Sequence, residues 1–387
     1  MNNLNSYLFE DLLIYKLLYC FWIPRILLLD IETMDKIDSQ GMYKIYDQWP
    51  EIARESFESN LESINFKNID HIVFAGMGGS GAIGDLFASI LSKTNIHVSV
   101  VKGYLLPKTV DKNTLIITTS VSGNTVETLT VLNSAKNLDC NLIAFSSGGK
   151  MEEFCGKHKI NFKKINLIHS PRTSFINFSF SILKILYSIL PVEKNHVSKT
   201  FDELSKLQNN IGSQNLSDSN SALDLATFIS GIPLIYYPYG LQPSAIRFKS
   251  SIQENAKTHA IIEDIVEASH NGIVAWEKPS NIQPILLRGY DDYVKTKDRF
   301  EIIKEFFHEN NVKYAEITSR PGNIFTKIIT LTYLLDYASL YRAIISGVDP
   351  SPVLSINFIK DRIWRFLFFI FYNQIHVWTS IHNYPSV

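Results

Sequence analysis

The glycine-rich stretch "FAGMGGSGAIGD", residues 74–85, constrains the fold of this chain more than any other feature. It follows a short apolar run at 71–75 and leads into a segment whose apolar residues recur at helical spacing. A strand that turns into a helix through several glycines is typical of parallel α/β sheets. The spacing G-x-G-x-x-G, which is typical of nicotinamide dinucleotide sites, also fits Gly76, Gly78 and Gly81. Such a site is therefore an alternative function of this loop.

The same alternation of strand and helix continues along the chain. Apolar, β-branched runs predict five strands in the first half, at 71–75, 96–101, 113–120, 140–147 and 164–169. Three more strands are predicted in the second half, at 232–238, 284–290 and 312–318, with helices at 241–257, 292–311 and 323–346. The alternation predicts two α/β halves of similar kind, and in the first half a parallel sheet with helices on both faces.

The domain boundaries follow changes in composition. We expect a first subdomain at 34–208, a polar linker at 209–222 and a second subdomain at 223–362. Residues 1–33 are expected to be an N-terminal extension, with Met34 as an alternative start, and 363–387 an aromatic C-terminal tail. Both ends contain apolar stretches, but charged and polar residues interrupt them, so we expect no membrane span.

The charge balance and the cysteines exclude several classes of protein. The formal net charge is −1, so there is no global basic field to attract nucleic acid or anionic lipid. The three cysteines are scattered, and no CxxC pair occurs. We therefore expect a protein of the reducing cytoplasm that has no zinc site.

The residues after the second predicted strand argue against a nicotinamide cofactor. A dinucleotide fold needs an acid there to bind the ribose hydroxyls, about 20 residues after the glycines. In this chain Lys102 and Gly103 occupy that place, and no acidic residue occurs between Asp85 and Asp111. The glycine loop is therefore expected to bind a smaller group.

A second loop of similar chemistry follows the third predicted strand, with the sequence "SVSGNTVET" at 120–128. In a parallel sheet both loops lie at the carboxyl edge, where helix N-termini offer free N–H groups to an anion. We therefore predict a phosphate site; its residues are Gly78, Gly79, Ser80, Ser120, Ser122 and Thr125. The alternative is that these hydroxyls only cap helices.

These two loops resemble the sugar-isomerase (SIS) domain, which binds phosphosugars. The later stretches "SPRTSF", "QENAK", "EASHNGIVAW" and "GVDPSPVLSINFIK" resemble the bifunctional phosphoglucose/phosphomannose isomerase family of archaea and bacteria, over roughly Met34 to Lys360. The resemblance implies an α/β fold of two SIS-type doubly wound parallel-sheet subdomains, flavodoxin-like and three-layered (α/β/α). It also implies a homodimer that isomerises phosphosugars without a metal or other cofactor. Val266 and Gly272 depart from the family pattern around the histidine, which has proline and an acid there.

The expected reaction moves a proton between C1 and C2 of a sugar phosphate through a cis-enediol, and one carboxylate base suffices for this. The resemblance places that base at Glu254, and Glu267 is the rival. It also implies ring opening by His270 from the partner subunit, with His259 as a competitor. The resemblance further assigns Arg172 to stabilise the enediolate and Lys360 to contact the substrate.

We therefore expect the protein to isomerise glucose 6-phosphate and fructose 6-phosphate, and mannose 6-phosphate as well. Three alternatives remain open: another SIS phosphosugar isomerase, a phosphosugar-binding regulator without turnover, and an oxidoreductase. A regulator would carry a basic DNA-binding segment, which residues 1–70 lack.

Overall fold

The computed structural model describes residues 29–363, which form one compact unit up to Pro350 and a second from Ser351 onward. The helices of the first half are α1 (Ile31–Ile37), α2 (Met42–Asp47), α3 (Trp49–Glu58), α4 (Gly78–Leu91), α5 (Val126–Ala135), α6 (Gly149–His158), α7 (Phe175–Ile185) and α8 (Lys194–Ile211). Its strands are β1 (His71–Ala75), β2 (His97–Val101), β3 (Thr114–Ser120), β4 (Asn141–Ser146) and β5 (Asn161–Lys164).

The second half repeats the pattern. Its helices are α9 (Ser221–Phe228), α10 (Gln242–Asn255), α11 (Ile265–Ala268), α12 (Val294–Glu309) and α13 (Ile324–Ile345), with 3-10 turns at Tyr239–Leu241 and Gly272–Glu277. Its strands are β6 (Ile232–Tyr237), β7 (Ile261–Asp264), β8 (Ile282–Arg288) and β9 (Ala315–Thr318). The compact unit that begins at Ser351 contains a helix over 354–363, α14.

The first sheet has five parallel strands in the order β2-β1-β3-β4-β5, which is the flavodoxin-like order. Every residue of β1 and β3 is buried, as expected for central strands covered on both faces. The first four predicted strands are confirmed. The prediction of a fifth at 164–169 is wrong, because the edge strand is Asn161–Lys164 and its pairing ends where β4 ends, at Ser146 opposite Lys164.

The second sheet has four parallel strands in the order β7-β6-β8-β9, so it repeats the order of the first four strands of the other sheet. The three strands predicted here are confirmed with small shifts at their ends. Strand β7 was missed, because its sequence "IIED" is short and half polar. The predicted α/β fold with two doubly wound parallel sheets is thereby confirmed.

The two sheets belong to the same compact unit, so the subdomain boundaries remain predictions. Helix α8 continues to Ile211 and α9 begins at Ser221, which leaves only the middle of the predicted linker without helix. Helix α10 packs against α4, and this contact brings the second half beside the glycine loop.

Helix α13 forms the centre of the core and packs against α8, α9 and α10. Within residues 29–363 it is the one helix whose length and apolar composition would suit a membrane span, yet 89% of its most apolar window is buried inside the protein. It is therefore a core helix. The predictions about residues 1–33 and the aromatic tail fall almost entirely outside the described residues.

Candidate functional site

The glycine loop connects β1 to α4 and is tightly folded. Gly78 has φ +54°, a left-handed conformation that favours glycine, and a Cβ on Gly76 would lie 2.9 Å from the carbonyl carbon of Ser80. The backbone N–H groups of Gly78 and Gly79 have no hydrogen-bond acceptor within the described part of the chain. These are the free donors that the first turn of a helix offers to an anion.

The second loop connects β3 to α5. Gly123 has φ +69°, and a Cβ there would stand 1.8 Å from the carbonyl oxygen of Gly148, so no other residue fits without movement of the backbone. The Ser120 and Thr125 hydroxyls share a hydrogen bond of 2.9 Å. Ser122 is exposed, and its hydroxyl accepts from the backbone N–H of Asn124 at 3.3 Å.

The two loops contact each other at the carboxyl edge of the neighbouring strands β1 and β3. The backbone N–H of Val121 donates to Ser80 Oγ at 3.3 Å, and Ser80 is 8% exposed. Neither α4 nor α5 has a side-chain capping hydrogen bond at its N-terminus. The hydroxyls of Ser80 and Thr125 therefore do not serve as helix caps, which was the alternative to a phosphate site.

Arg172 lies in the loop between β5 and α7, where side chains fix the backbone. Thr173 Oγ1 donates to the carbonyl of Ile168 at 2.6 Å, and Trp49 Nε1 donates to the carbonyl of Thr173 at 3.2 Å. The guanidinium of Arg172, 6% exposed, donates from Nη1 to Asn255 Oδ1 at 2.6 Å and to the carbonyl of Pro350 at 2.7 Å. This cation is held in place from several sides.

Glu254 lies in the last turn of α10 and faces Arg172. Its Oε2 is 3.2 Å from Arg172 Nε, and its side chain is 26% exposed. Its neighbour Asn255 is fully buried and donates from Nδ2 to Ser339 Oγ at 2.8 Å. The structure thus brings together the predicted base and the predicted cation from different halves of the chain.

Lys257 lies two residues after the end of α10 and has φ +55°. Its Nζ donates to the carbonyl of Glu254 at 2.6 Å. Burial, and then the charge of Arg172, lower the pKa of Lys257. The Lys257 side chain therefore caps the C-terminal end of α10, the helix that carries Glu254.

Glu267, the rival base, is exposed and lies elsewhere in the second half. Its Oε1 accepts from Asn271 Nδ2 at 2.9 Å. No arginine or lysine pairs with it within residues 29–363. The surroundings of Glu254 therefore favour it as the base over Glu267.

His270 follows α11 and is exposed, and so is His259. In the described chain the His270 side chain has no hydrogen bond to Glu254 or Arg172. Lys360 lies on the exposed surface of α14, in the unit that begins at Ser351. The described chain therefore unites Arg172 and Glu254, but it does not join His270 to them.

Both departures from the family pattern near His270 have local explanations. The N–H of Val266 donates to Asp264 Oδ1 at 2.8 Å, a capping bond that proline could not make. A Cβ on Gly272 would stand 2.5 Å from Glu263 Oε1, so the Glu263 carboxylate occupies the space that a side chain at 272 would need. Burial, and then Glu267, raise the pKa of Glu263.

A buried ion pair that the sequence analysis missed lies beneath these groups. Arg247 of α10 is 3% exposed and pairs with Asp336 of α13, which is 0% exposed, at 2.7 Å between Nη2 and Oδ2. Burial disfavours the charge on Arg247, but Asp336 outweighs this and the pKa of Arg247 is raised. A single acid within the apolar stretch "LTYLLDYASL" was the available signal, because carboxylates are almost never buried unless paired.

The described residues offer no evident metal site. Across residues 29–363 no group of three or more His, Cys, Asp or Glu side chains is placed to hold a metal ion. Cys140 is half-buried and Cys155 is buried, while Cys20 lies outside the described residues.

Two parallel sheets of related strand order, with a glycine loop and a hydroxyl loop at one carboxyl edge, define the chain as a protein of the SIS class. The model of the SIS domain matches residues 65–164, and the model described as the bacterial phospho-glucose isomerase C-terminal SIS domain matches residues 218–363. The fold is similar to that of tagatose-6-phosphate ketose/aldose isomerase from Escherichia coli, with a TM-score of 0.60, 14% identity, and coverage of 81% of this chain and 95% of that one.

Proteins of similar sequence identify the family more narrowly than the similar fold does. The bifunctional phosphoglucose/phosphomannose isomerase of Caldicellulosiruptor bescii is 32% identical over 336 residues, which cover 83% of this chain and 98% of the relative. The Aquifex aeolicus protein of the same name is 28% identical, over 84% of this chain and 96% of the relative. The chain belongs to the bifunctional phosphoglucose/phosphomannose isomerase family.

Proposed function

We propose that this protein interconverts glucose 6-phosphate and fructose 6-phosphate and also accepts mannose 6-phosphate. The observation that carries the proposal is the Arg172–Glu254 pair, in which a carboxylate and a guanidinium lie 3.2 Å apart. A base beside a fixed cation is what proton transfer through an enediolate requires. The names of the relatives, which describe phosphoglucose and phosphomannose isomerases, support the same substrates.

The phosphate of the substrate is proposed to bind between the glycine loop and the hydroxyl loop. The free N–H groups of Gly78 and Gly79 and the hydroxyls of Ser80, Ser120 and Thr125 supply the donors, with Ser122 at the exposed rim. The glycine loop also lies beside the Arg172 loop, because a Cβ on Gly79 would be 3.3 Å from the carbonyl oxygen of Pro171. A sugar phosphate bound there would extend from the two loops toward Arg172 and Glu254.

In this proposal Glu254 removes a proton from one of C1 and C2 and returns it to the other. The negative charge that develops on the enediolate oxygen is stabilised by Arg172. Its guanidinium is already oriented by Asn255 and Pro350 before the substrate arrives. A preorganised donor of this kind contributes about 2.7–4 kcal/mol to transition-state stabilisation.

Ring opening is assigned to His270 of a second copy of the chain. Support comes from the position of His270, which is exposed and without a hydrogen bond to Glu254 or Arg172 in its own described chain. An imidazole can both give and take the proton of a hydroxyl. The active protein is therefore proposed to be a homodimer. It is also proposed to be cytoplasmic, and Lys360 is proposed to assist at the sugar ring.

The test compares Glu254→Gln with the matched control Glu267→Gln in a coupled assay of fructose 6-phosphate, glucose 6-phosphate and mannose 6-phosphate. Removal of a general base costs about 10²–10⁴-fold in rate. We expect a kcat loss of that size for Glu254→Gln with phosphosugar binding retained, and near-normal rates for Glu267→Gln. The reverse order of the two variants would reassign the base.

Two further measurements distinguish the proposed isomerase from a metal-dependent enzyme, another SIS isomerase and a regulator. Activity is expected to be unchanged by EDTA; its loss on chelation and recovery with zinc would indicate a metal-dependent reaction instead. Arabinose 5-phosphate and glucosamine 6-phosphate are included as substrates of other SIS enzymes. Tight phosphosugar binding without turnover of any of them would favour a regulator over an isomerase.

A further inference from the structure

Arg247 lies seven residues before Glu254 on α10, so the two residues are on the same side of the helix, two turns apart. Its Nε lies 3.1–3.2 Å from both carboxylate oxygens of Asp336, and its Nη2 lies 2.7 Å from Oδ2. Removing both charges from water is costly, and a well-packed apolar pair often stabilises a fold at least as well. Stability alone is therefore a weak explanation for this pair.

Arg247 does more than pair with Asp336. Its Nη2 also donates to the carbonyl oxygen of Arg172 at 2.7 Å. Its Nη1 lies 3.2 Å from the place where a Cβ on Gly79 would stand, and it has no hydrogen-bond partner within the described part of the chain. One planar guanidinium thus reaches α13, the Arg172 loop and the glycine loop together.

The carboxylate of Asp336 is itself fixed. Its Oδ1 accepts from Ser251 Oγ at 2.5 Å, and its Oδ2 accepts from the Tyr46 hydroxyl at 3.3 Å. The guanidinium of Arg247 also packs over the ring of Phe175, with its central carbon 4.9 Å from the ring centre. Arg247 is therefore held by Asp336 and by the ring of Phe175 as well as by its contact with the Arg172 loop.

We propose that Arg247 is a positioning residue for the isomerase site, which sets the backbone of Arg172 and the glycine loop relative to each other. Arg172 is then fixed at both ends, by Arg247 at its carbonyl and by Asn255 at its guanidinium. A lysine at 247 keeps the charge opposite Asp336 but cannot make these contacts together, because it lacks the planar fork. The inference rests on the proposed function.

The test is a double-mutant cycle with Arg247→Lys and Arg172→Lys, measured as kcat and KM for fructose 6-phosphate. We expect Arg247→Lys to lower kcat about 10- to 100-fold, because a misplacement of about 1 Å at a reacting group can cost that much. KM is expected to change less than threefold. The double variant should be no slower than Arg172→Lys by more than about twofold, since Arg247 acts through Arg172.

The matched control is Arg342→Lys, which changes a half-buried arginine of α13 whose Nε has no hydrogen-bond partner within residues 29–363. It should leave both constants within twofold of the wild type. If the effects of Arg247→Lys and Arg172→Lys multiply, or if Arg247→Lys loses activity only in proportion to its unfolded fraction, the positioning role is refuted.

Gly79→Ala replaces Arg247→Lys in the test if Arg247→Lys does not fold. The new Cβ would lie 3.2 Å from Arg247 Nη1, so it disturbs this guanidinium without leaving a buried charge unpaired. It should also lower kcat, and its effect should likewise shrink in the Arg172→Lys background. Because Gly79 also lies in the proposed phosphate loop, this comparison uses kcat alone: an unchanged kcat, or kcat effects that multiply with those of Arg172→Lys, would refute the role. Absence of turnover in the wild type would overturn the proposed function, and this inference with it.

Discussion

Replacement of Gly123 by alanine should move the hydroxyl loop and weaken phosphate binding. The residue has φ +69°, and its Cβ would stand 1.8 Å from the Gly148 carbonyl oxygen and 2.6 Å from Ser146 Oγ. The nearest obstacle is backbone rather than the end of a flexible side chain. Relief therefore requires that the loop carrying Ser122 and Thr125 separates from the Gly148 turn.

The magnitude follows from these distances. Ordinary van der Waals contact begins near 3.4 Å, so the two segments must separate by about 1.5 Å. A hydrogen bond of about 2.8 Å to a phosphate oxygen does not survive a shift of that size. Loss of one or two charge-assisted bonds, at about 1.5–3 kcal/mol each, corresponds to a fall of about 10- to 10⁴-fold in kcat/KM. The left-handed φ adds about 1–2 kcal/mol of destabilisation.

The assay measures kcat/KM for fructose 6-phosphate, inhibition by inorganic phosphate, and thermal unfolding. Gly78→Ala and Gly103→Ala are the controls: a Cβ at either position meets nothing within 4 Å, but only Gly78 has positive φ. Gly103→Ala should behave as wild type, and Gly78→Ala should show mainly the conformational cost. The reasoning is refuted if the phosphate affinity of Gly123→Ala stays within twofold of that of Gly103→Ala.

Two further predictions concern pH and thiol chemistry. Burial raises the pKa of Tyr236 to about 12 from 10.0, so the folded state keeps a proton that the unfolded state loses. This stability, about 3 kcal/mol, is fully present below pH 10 and is lost as the pH rises to about 12, so part of the tyrosinate absorbance should appear only together with unfolding. Early ionisation of all tyrosines in the folded protein would contradict this. Burial also raises the pKa of Cys155 to about 11, so in a Cys20→Ser background a thiol reagent at pH 8 should label Cys140 well before Cys155. Equal labelling rates in the folded protein would show that Cys155 is accessible.

The sequence by itself determined the elements and their order. The apolar, β-branched runs of β1 and β3 could only be strands buried on both faces, and the glycines after β1 required a tight turn into a helix. Two hydroxyl-bearing loops after neighbouring strands then had to meet at one sheet edge, because parallel strands place their carboxyl ends together. Local periodicity and turn chemistry were enough for these features.

Only the tertiary structure decided which distant residues meet. Arg172 and Asn255 are 83 positions apart, and Arg247 and Asp336 are 89 apart, so no local pattern could pair them. The edge strands β5 and β7 were likewise misplaced or missed, because their extent depends on the neighbouring strand more than on their own composition. The placement of Glu254 and Arg172 beside the glycine loop comes from the packing of α10 against α4 and α13, which depends on the shape of whole helices.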